Sequence, residues 1–315
     1  MRRAAVVRAL VAVVAALAAG GCGLGAGDSQ EGAATLTVTR DFGTRDVGSG
    51  TADPIPGGET VMRMLRREFD VDTRYGGGFV QAVNGIAGGR ENGRPVDWFY
   101  YVNGILAEDG AAAHELAAGD RVWWDHHDWG ASADVRAVVG AFPEPFLSGS
   151  GGKRLPVRID CAAAADDACD EVAARLGEAG VEAGRSAAAG FGGEGVLRIK
   201  VGVWADVRRD PAVRTLERGP RASGVYAIPS AAGDELALLD PEGESVRTLG
   251  PGAGLVAATK LGGEAPTWIV TGTDAVGLAA AAARLEEDVL EDRFAIAIED
   301  GRPMPLPVMP RPEAP

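Results

Sequence analysis

Residues 98–129 hold the side chains most able to do chemistry. Seven of the chain's eighteen aromatics fall there, from Trp98 to Trp129. Strand alternation sends Trp98, Tyr100 and Val102 to one face, and Phe99 and Tyr101 to the other. Val122, Trp124 and His126 likewise share a face opposite Trp123, Asp125 and His127. One face must fill a core. The other would expose large rings, which soluble surfaces avoid unless they bind something. Flat rings suit a planar ligand, a sugar ring or a second protein domain. The expected ligand-binding residues are therefore Trp98, Tyr100, Trp124, His126 and Trp129, acting by stacking and apolar burial. His126 and Asp128 would add polar contacts. In the alternative arrangement both faces are covered, one by a helix entered at Thr60 and one by the second half of the chain.

Asp125-His126-His127-Asp128 invites a metal reading. Adjacent strand residues point to opposite sides, so His126 and His127 cannot hold one ion on a regular strand. His114-Glu115 is half of a zinc-protease pattern and lacks its second histidine. No metal site is expected. The nucleophile elbow, the phosphate loop, Cys-x-x-Cys and the dinucleotide glycine fingerprint are all missing from the sequence. Thr271-Gly272-Thr273-Asp274 makes a strand-to-helix turn, but helix capping by Asp274 accounts for it. No catalytic residue and no enzyme activity are expected.

The three cysteines are Cys22, Cys161 and Cys169. Cys22 follows a basic start, Met1-Arg2-Arg3, an apolar run from Ala9 to Ala19, and then small residues. That is the layout of a secretory signal. A cysteine directly after small residues resembles the lipobox of bacterial lipoproteins, although Ala19 stands where leucine is usual. The expectation is acylation at Cys22 and a protein held at the outer face of the bacterial cytoplasmic membrane; an ordinary cleaved signal is the alternative. Secretion favours a disulfide between Cys161 and Cys169, a short closure that stabilises by about 2.5 kcal/mol on the chain-entropy model. The net charge is −14. So acidic a chain is not expected to bind nucleic acid.

These side chains must be positioned by the elements around them. Ala34–Arg40 alternates as a strand, and Thr60–Phe69 spaces apolar residues four apart as a short helix. Strands are expected near 78–83, 96–102 and 120–129, with Asn84-Gly85 and Asn103-Gly104 as tight turns. Beyond the Ser/Gly stretch at 148–152 the pattern changes. Strands at 155–159 and 196–204, a helix at 166–176, and a hairpin around Asp240–Gly243 come next. A strand, helix and strand over 268–298 complete it, and the alternation argues for an α/β unit. The expected organisation is a signal at 1–22, a tether at 23–33, a first domain at 34–131, a linker at 132–152, an α/β domain of unknown function at 153–300 and a Pro-rich tail at 301–315.

The first domain resembles the transcobalamin-like C-terminal domain family. The residues that carry the likeness are the Thr60-Val61 helix entry, Asp97-Trp98-Phe99-Tyr100-Tyr101-Val102-Asn103-Gly104, the small-residue stretch Gly110–Ala113, and Leu116–Trp124 with its Gly119-Asp120-Arg121-Val122-Trp123-Trp124. The resemblance implies a compact β-grasp-like fold for this domain alone; with the alternation beyond it, the expected class is α+β, a β-grasp-like N-terminal domain followed by a separate α/β domain. In transcobalamin such a domain closes over the corrinoid from one side while a helical barrel grips the other; this chain has no such barrel. Cobalamin is therefore carried as a candidate ligand and no cofactor is expected. The functional expectation is a membrane-anchored binding protein that captures a small nutrient for a membrane transporter. Its alternative is a structural or interaction module of the cell envelope with the aromatic face buried in a protein interface.

Overall fold

The computed structural model describes residues 27–149, 153–187 and 195–310. Cys22 and the signal segment lie outside the described residues. The chain forms mixed sheets with a minority of helices.

The N-terminal part begins with β1 (Ala34–Arg40) and β2 (Arg45–Ala52), followed by helix α1 (Val61–Glu68). Then come β3 (Val71–Arg74), β4 (Phe79–Val83), β5 (Ile86–Ala87), β6 (Gly89–Glu91), β7 (Arg94–Val102), β8 (Ile105–Leu106) and β9 (Arg121–Asp128). The main sheet runs β2-β1-β9-β7-β6, with β8 paired to β7. β1 and β9 are parallel, while β7 and β9 are antiparallel with Trp98 opposite His126 and Tyr100 opposite Trp124. The Asn-Gly turns form as expected. Asn84, Asn103 and their following glycines all take positive φ, which these residues tolerate best. Helix α1 starts at a true cap, since Thr60 Oγ1 accepts from the Arg63 amide at 3.2 Å. Its Val61, Met62, Met64 and Leu65 are buried, and Arg66 and Arg67 close its C-terminal turn.

The second part has β10 (Val157–Cys161), α2 (Asp166–Glu178), β11 (Ala183–Ala187) and β12 (Leu197–Val203). A small sheet of β13 (Ala227–Pro229), β14 (Leu236–Leu239) and β15 (Ser245–Leu249) follows, then β16 (Gly254–Thr259), β17 (Thr267–Gly272), α3 (Ala275–Ala282), β18 (Ala295–Glu299) and β19 (Arg302–Leu306). The large sheet has the order β11-β10-β12-β17-β16-β18-β19. Its first four strands are parallel and the rest antiparallel. Helices α2 and α3 cover one face, packed on Ile159, Ile199, Val201, Trp268 and Val270. Cys161 and Cys169 are bridged, tying the end of β10 to α2.

The structure refines three expectations. The helix expected between the strands of 268–298 stops at Ala282 and resumes at Glu287–Leu290, because Glu286 is extended (φ −131°). The Pro-rich stretch from Arg302 forms β19, an edge strand paired with β18. An edge is where proline fits, because its missing N–H faces away from the ladder. Residues 132–149, read from composition as linker, are largely buried. Val135 and Val138 join the central core, while Ala137, Val139, Phe142 and Phe146 join the core of the large sheet. Phe142 and Phe146 both rest on the Trp268 ring, at 5.9 and 4.9 Å.

That central core also bears on the expected separation of two domains. Phe42, Tyr101 and Trp123 from the first part share one apolar cluster with Trp204, Tyr226, Leu255, Ile269 and Phe294 from the second. The halves are joined by a continuous hydrophobic interior.

Candidate functional site

The structure brings four of the five expected ligand-binding residues together and covers them. Trp98, Tyr100, Trp124 and His126 are all under 10 % exposed and lie on the face that packs against α1. Tyr100 and Trp124 stack at 4.8 Å, and Trp98 tilts against His126 at 5.1 Å. Trp98 Nε1 donates to Ile86 O at 2.9 Å, and His126 Nε2 lies 3.1 Å from Ala87 O. Burial pushes the His126 imidazole below its usual range, with the Ala87 carbonyl acting against that shift. Trp129, at the end of β9, is 38 % exposed.

The opposite face is covered as well. Phe294 meets Tyr101, Trp123 and His127 edge-on at 5.1–5.8 Å, and Phe42 meets Tyr226 at 5.2 Å. Beneath these rings Asp125 is wholly buried. Its carboxylate accepts from the Phe42 and Gly43 amides, from Thr39 Oγ1 at 2.6 Å and from His127 Nδ1 at 2.8 Å. Thr39 Oγ1 in turn accepts from Trp123 Nε1 at 2.8 Å. The network explains Asp125 and His127 as an internal clasp between β1, β9 and the Phe42 turn, since each carboxylate oxygen of Asp125 has two donors. His126 and His127 face opposite sides of the sheet, as strand geometry requires. Among the described residues no group of three or more His, Cys, Asp or Glu is placed to hold a metal ion.

The open concavity is elsewhere. A cleft of about 680 Å³ separates the turn and loop after β7 from the loop between β16 and β17. Glu108, Asp109 and His114 line one side, Lys260 and Glu264 the other, and Lys153 stands at its margin. Apolar patches come from Val102, Leu106 and Leu155. The chain has three lysines and two of them are here. Lys260 Nζ, on a side chain only 9 % exposed, crosses the cleft to Glu108 at 2.9 Å and also donates to Gly262 O. The Lys260 hydrogen bond and charge hold the Glu108 carboxyl below its usual value.

A second relay links this wall to the aromatic core. Tyr100 donates its hydroxyl to Asp109 O at 2.7 Å, and His114 Nδ1 lies 3.1 Å from Asp109 Oδ1. Burial raises the Asp109 carboxyl, but the hydrogen bonds and charge of His114, helped by Tyr100, outweigh it and leave the group below its usual value. Burial pushes the Tyr100 hydroxyl well up. Tyr100 therefore supports the cleft from behind while its ring stays in the core. Sequence reasoning missed Lys260, Glu108 and Asp109 because they lie in two loops about 150 residues apart with no shared spacing. The scarcity of lysine was the one signal that could have drawn attention to Lys260.

Comparison with known proteins fits the N-terminal part. Residues 58–128 match the model of a domain of unknown function, DUF4430. The match runs from the entry of α1 to the end of β9 and so includes the cleft's Glu108, Asp109 and His114. A solved protein from Ruminococcus gnavus ATCC 29149, provisionally described as metal binding, is similar over 31 % of this chain and 98 % of its own, at 15 % identity and a TM-score of 0.25. No curated protein matches the chain.

Proposed function

We propose that this protein is an extracytoplasmic binding protein that takes a small polar ligand in the cleft between the β7–β9 part and the large sheet. The observation that carries the reading is the cleft itself. Its volume falls in the range of small-molecule sites, and it combines apolar patches with a few convergent charged groups. Among the described residues it holds carboxylates, two lysines and a histidine and no serine or cysteine nucleophile, which favours binding over catalysis. Tethering through Cys22 at the outer face of the bacterial cytoplasmic membrane, with delivery to a membrane transporter, completes the proposal. The likeness of residues 34–130 to transcobalamin-like domains makes a corrinoid the first ligand to try.

The test is calorimetry and tryptophan quenching with cobalamin on the chain from Gly23 onward. Binding weakened about tenfold by Lys260→Ala, the loss of one charged hydrogen bond, and unchanged by Trp129→Ala is the expected result. Binding indifferent to Lys260→Ala would move the site out of the cleft, and no binding would remove cobalamin. Palmitate labelling of intact cells checks the anchor: label on the native chain and none on Cys22→Ala is expected.

A second reading, an interaction module of the cell envelope, is favoured by the burial of the Tyr101–Trp123 face. Here, however, the covering surface is the chain's own Phe294 and Tyr226. Fusion partners are therefore not needed to explain the rings.

A further inference from the structure

The segment from Trp204 to Arg221 concentrates positive charge in an acidic chain. It holds Arg208, Arg209, Arg214, Arg218 and Arg221, against Asp206, Asp210 and Glu217. Two of those acids are committed internally. Asp210 takes Arg198 Nη2 at 2.7 Å and Lys200 Nζ at 3.0 Å from β12, and Glu217 accepts from Arg208 Nε at 2.6 Å. Arg209, Arg214 and Arg218 are exposed and have no ion pair among the described residues.

The arginines stand on a rigid base. Val207, Val213 and Leu216 are buried beneath them. Thr215 Oγ1 donates to Ala212 O at 2.6 Å, and the Ala212 amide donates to Asp210 Oδ1 at 2.9 Å. Two hollows open on this base. One, of about 390 Å³, is lined by Arg214, Arg218 and Leu261 together with Pro211, Thr215 and the Arg208-paired Glu217; the other, of about 240 Å³, by Arg208, Arg209 and Arg214. Arg214 lines both, so the two hollows adjoin at its side chain and form an arginine-lined trough.

We propose that this trough binds a flexible chain bearing repeated phosphate groups, with successive phosphates on Arg218, Arg214 and Arg209. The guanidinium fork matches phosphate oxygens two at a time, and arginine rather than lysine supplies every cation here. A fixed base lowers the ordering cost of binding. Two joined hollows suit an extended anion better than a single phosphate, and a concave trough suits a chain better than a flat bilayer. No aromatic ring lines it, so the stacking platform that single-stranded nucleic acids use is lacking.

The experiment is a binding titration of the full-length chain with linear polyphosphate. Orthophosphate, single-stranded DNA and vesicles of anionic phospholipid are run alongside. Polyphosphate should bind more tightly than orthophosphate or DNA. Arg214→Gln should weaken it about tenfold, and Arg214→Lys should fail to restore it because the fork is lost. An unchanged melting temperature in both variants, expected for an exposed side chain, shows that the fold is intact. Polyphosphate binding that is absent, or equal in Arg214→Gln, overturns the proposal. So does arginine-dependent binding to vesicles without binding to polyphosphate, which would make the trough a membrane contact.

Discussion

On one side of the β7–β9 pair, Trp98, Tyr100 and Trp124 lie under α1, a helix that begins at Val61, 37 residues before Trp98 and 63 before Trp124. On the other side, Tyr101 and Trp123 meet Phe294, which arrives from the far end of the sequence. Both faces are aromatic, yet only the second is organised around a buried carboxylate. The α1 face is apolar packing with single hydrogen bonds at its rim, from Trp98 to Ile86 O, from Tyr100 to Asp109 O and from His126 to Ala87 O. The Phe294 face has Asp125 held by four donors, which fix against the sheet the Phe42 turn on which Phe294 packs. Apolar contact tolerates small adjustments, whereas a satisfied polar network does not. The difference suggests that the first face supplies local stability and the second fixes how the two halves meet.

Asp125→Ala is the strongest challenge to that comparison. It strands two amides, a hydroxyl and an imidazole in the interior, and we expect a loss of about 3–5 kcal/mol in urea unfolding. A loss below about 1 kcal/mol would mean the network is incidental. Phe294→Ala removes the ring shared by Tyr101, Trp123 and His127, and should cost about 3–4 kcal/mol. Its distinctive signature should be a split of the thermal transition into two, read by calorimetry, because the halves lose their common core. Leu65→Ala on the α1 face should cost about 3 kcal/mol and leave a single transition. If Leu65→Ala splits the transition and Phe294→Ala does not, the roles of the two faces are reversed.

The smallest effect concerns Asp292, beside Phe294 at the margin of the same interface. Burial, with the neighbouring Glu291 charge, raises its carboxyl to about 6. A folded-state value above the unfolded one means the folded protein binds the extra proton between those values. Stability contributed by this group therefore falls as pH rises from about 4 to about 6 and stays low above that. Asp292→Asn removes the charge and suits the residue's positive φ of 55°. It should stabilise by about 1 kcal/mol at pH 7, discounted for partial exposure, and by nothing below pH 4. Equal stabilisation at both pH values would assign the effect to backbone conformation instead.

What the sequence determined by itself is local. The Asn-Gly pairs announce their turns because few other residues accept positive φ at both positions. Thr60 announces a helix start because its hydroxyl can satisfy an orphan amide, and alternation in β7 and β9 sorts Trp98 from Phe99 and His126 from His127 without any knowledge of the partner. Residues 132–149 and the proline-containing β19 carry only the composition of a linker and a tail, since their structure depends on surfaces that distant segments provide. The same holds for the aromatic faces. Periodicity states that two faces exist, but what covers them depends on α1 for one and on Phe294 and Tyr226, more than 90 residues away, for the other. Only the tertiary structure could bring Glu108, His114 and Lys260 to one cleft, because no chemical pattern in a chain records the approach of loops joined through a common core.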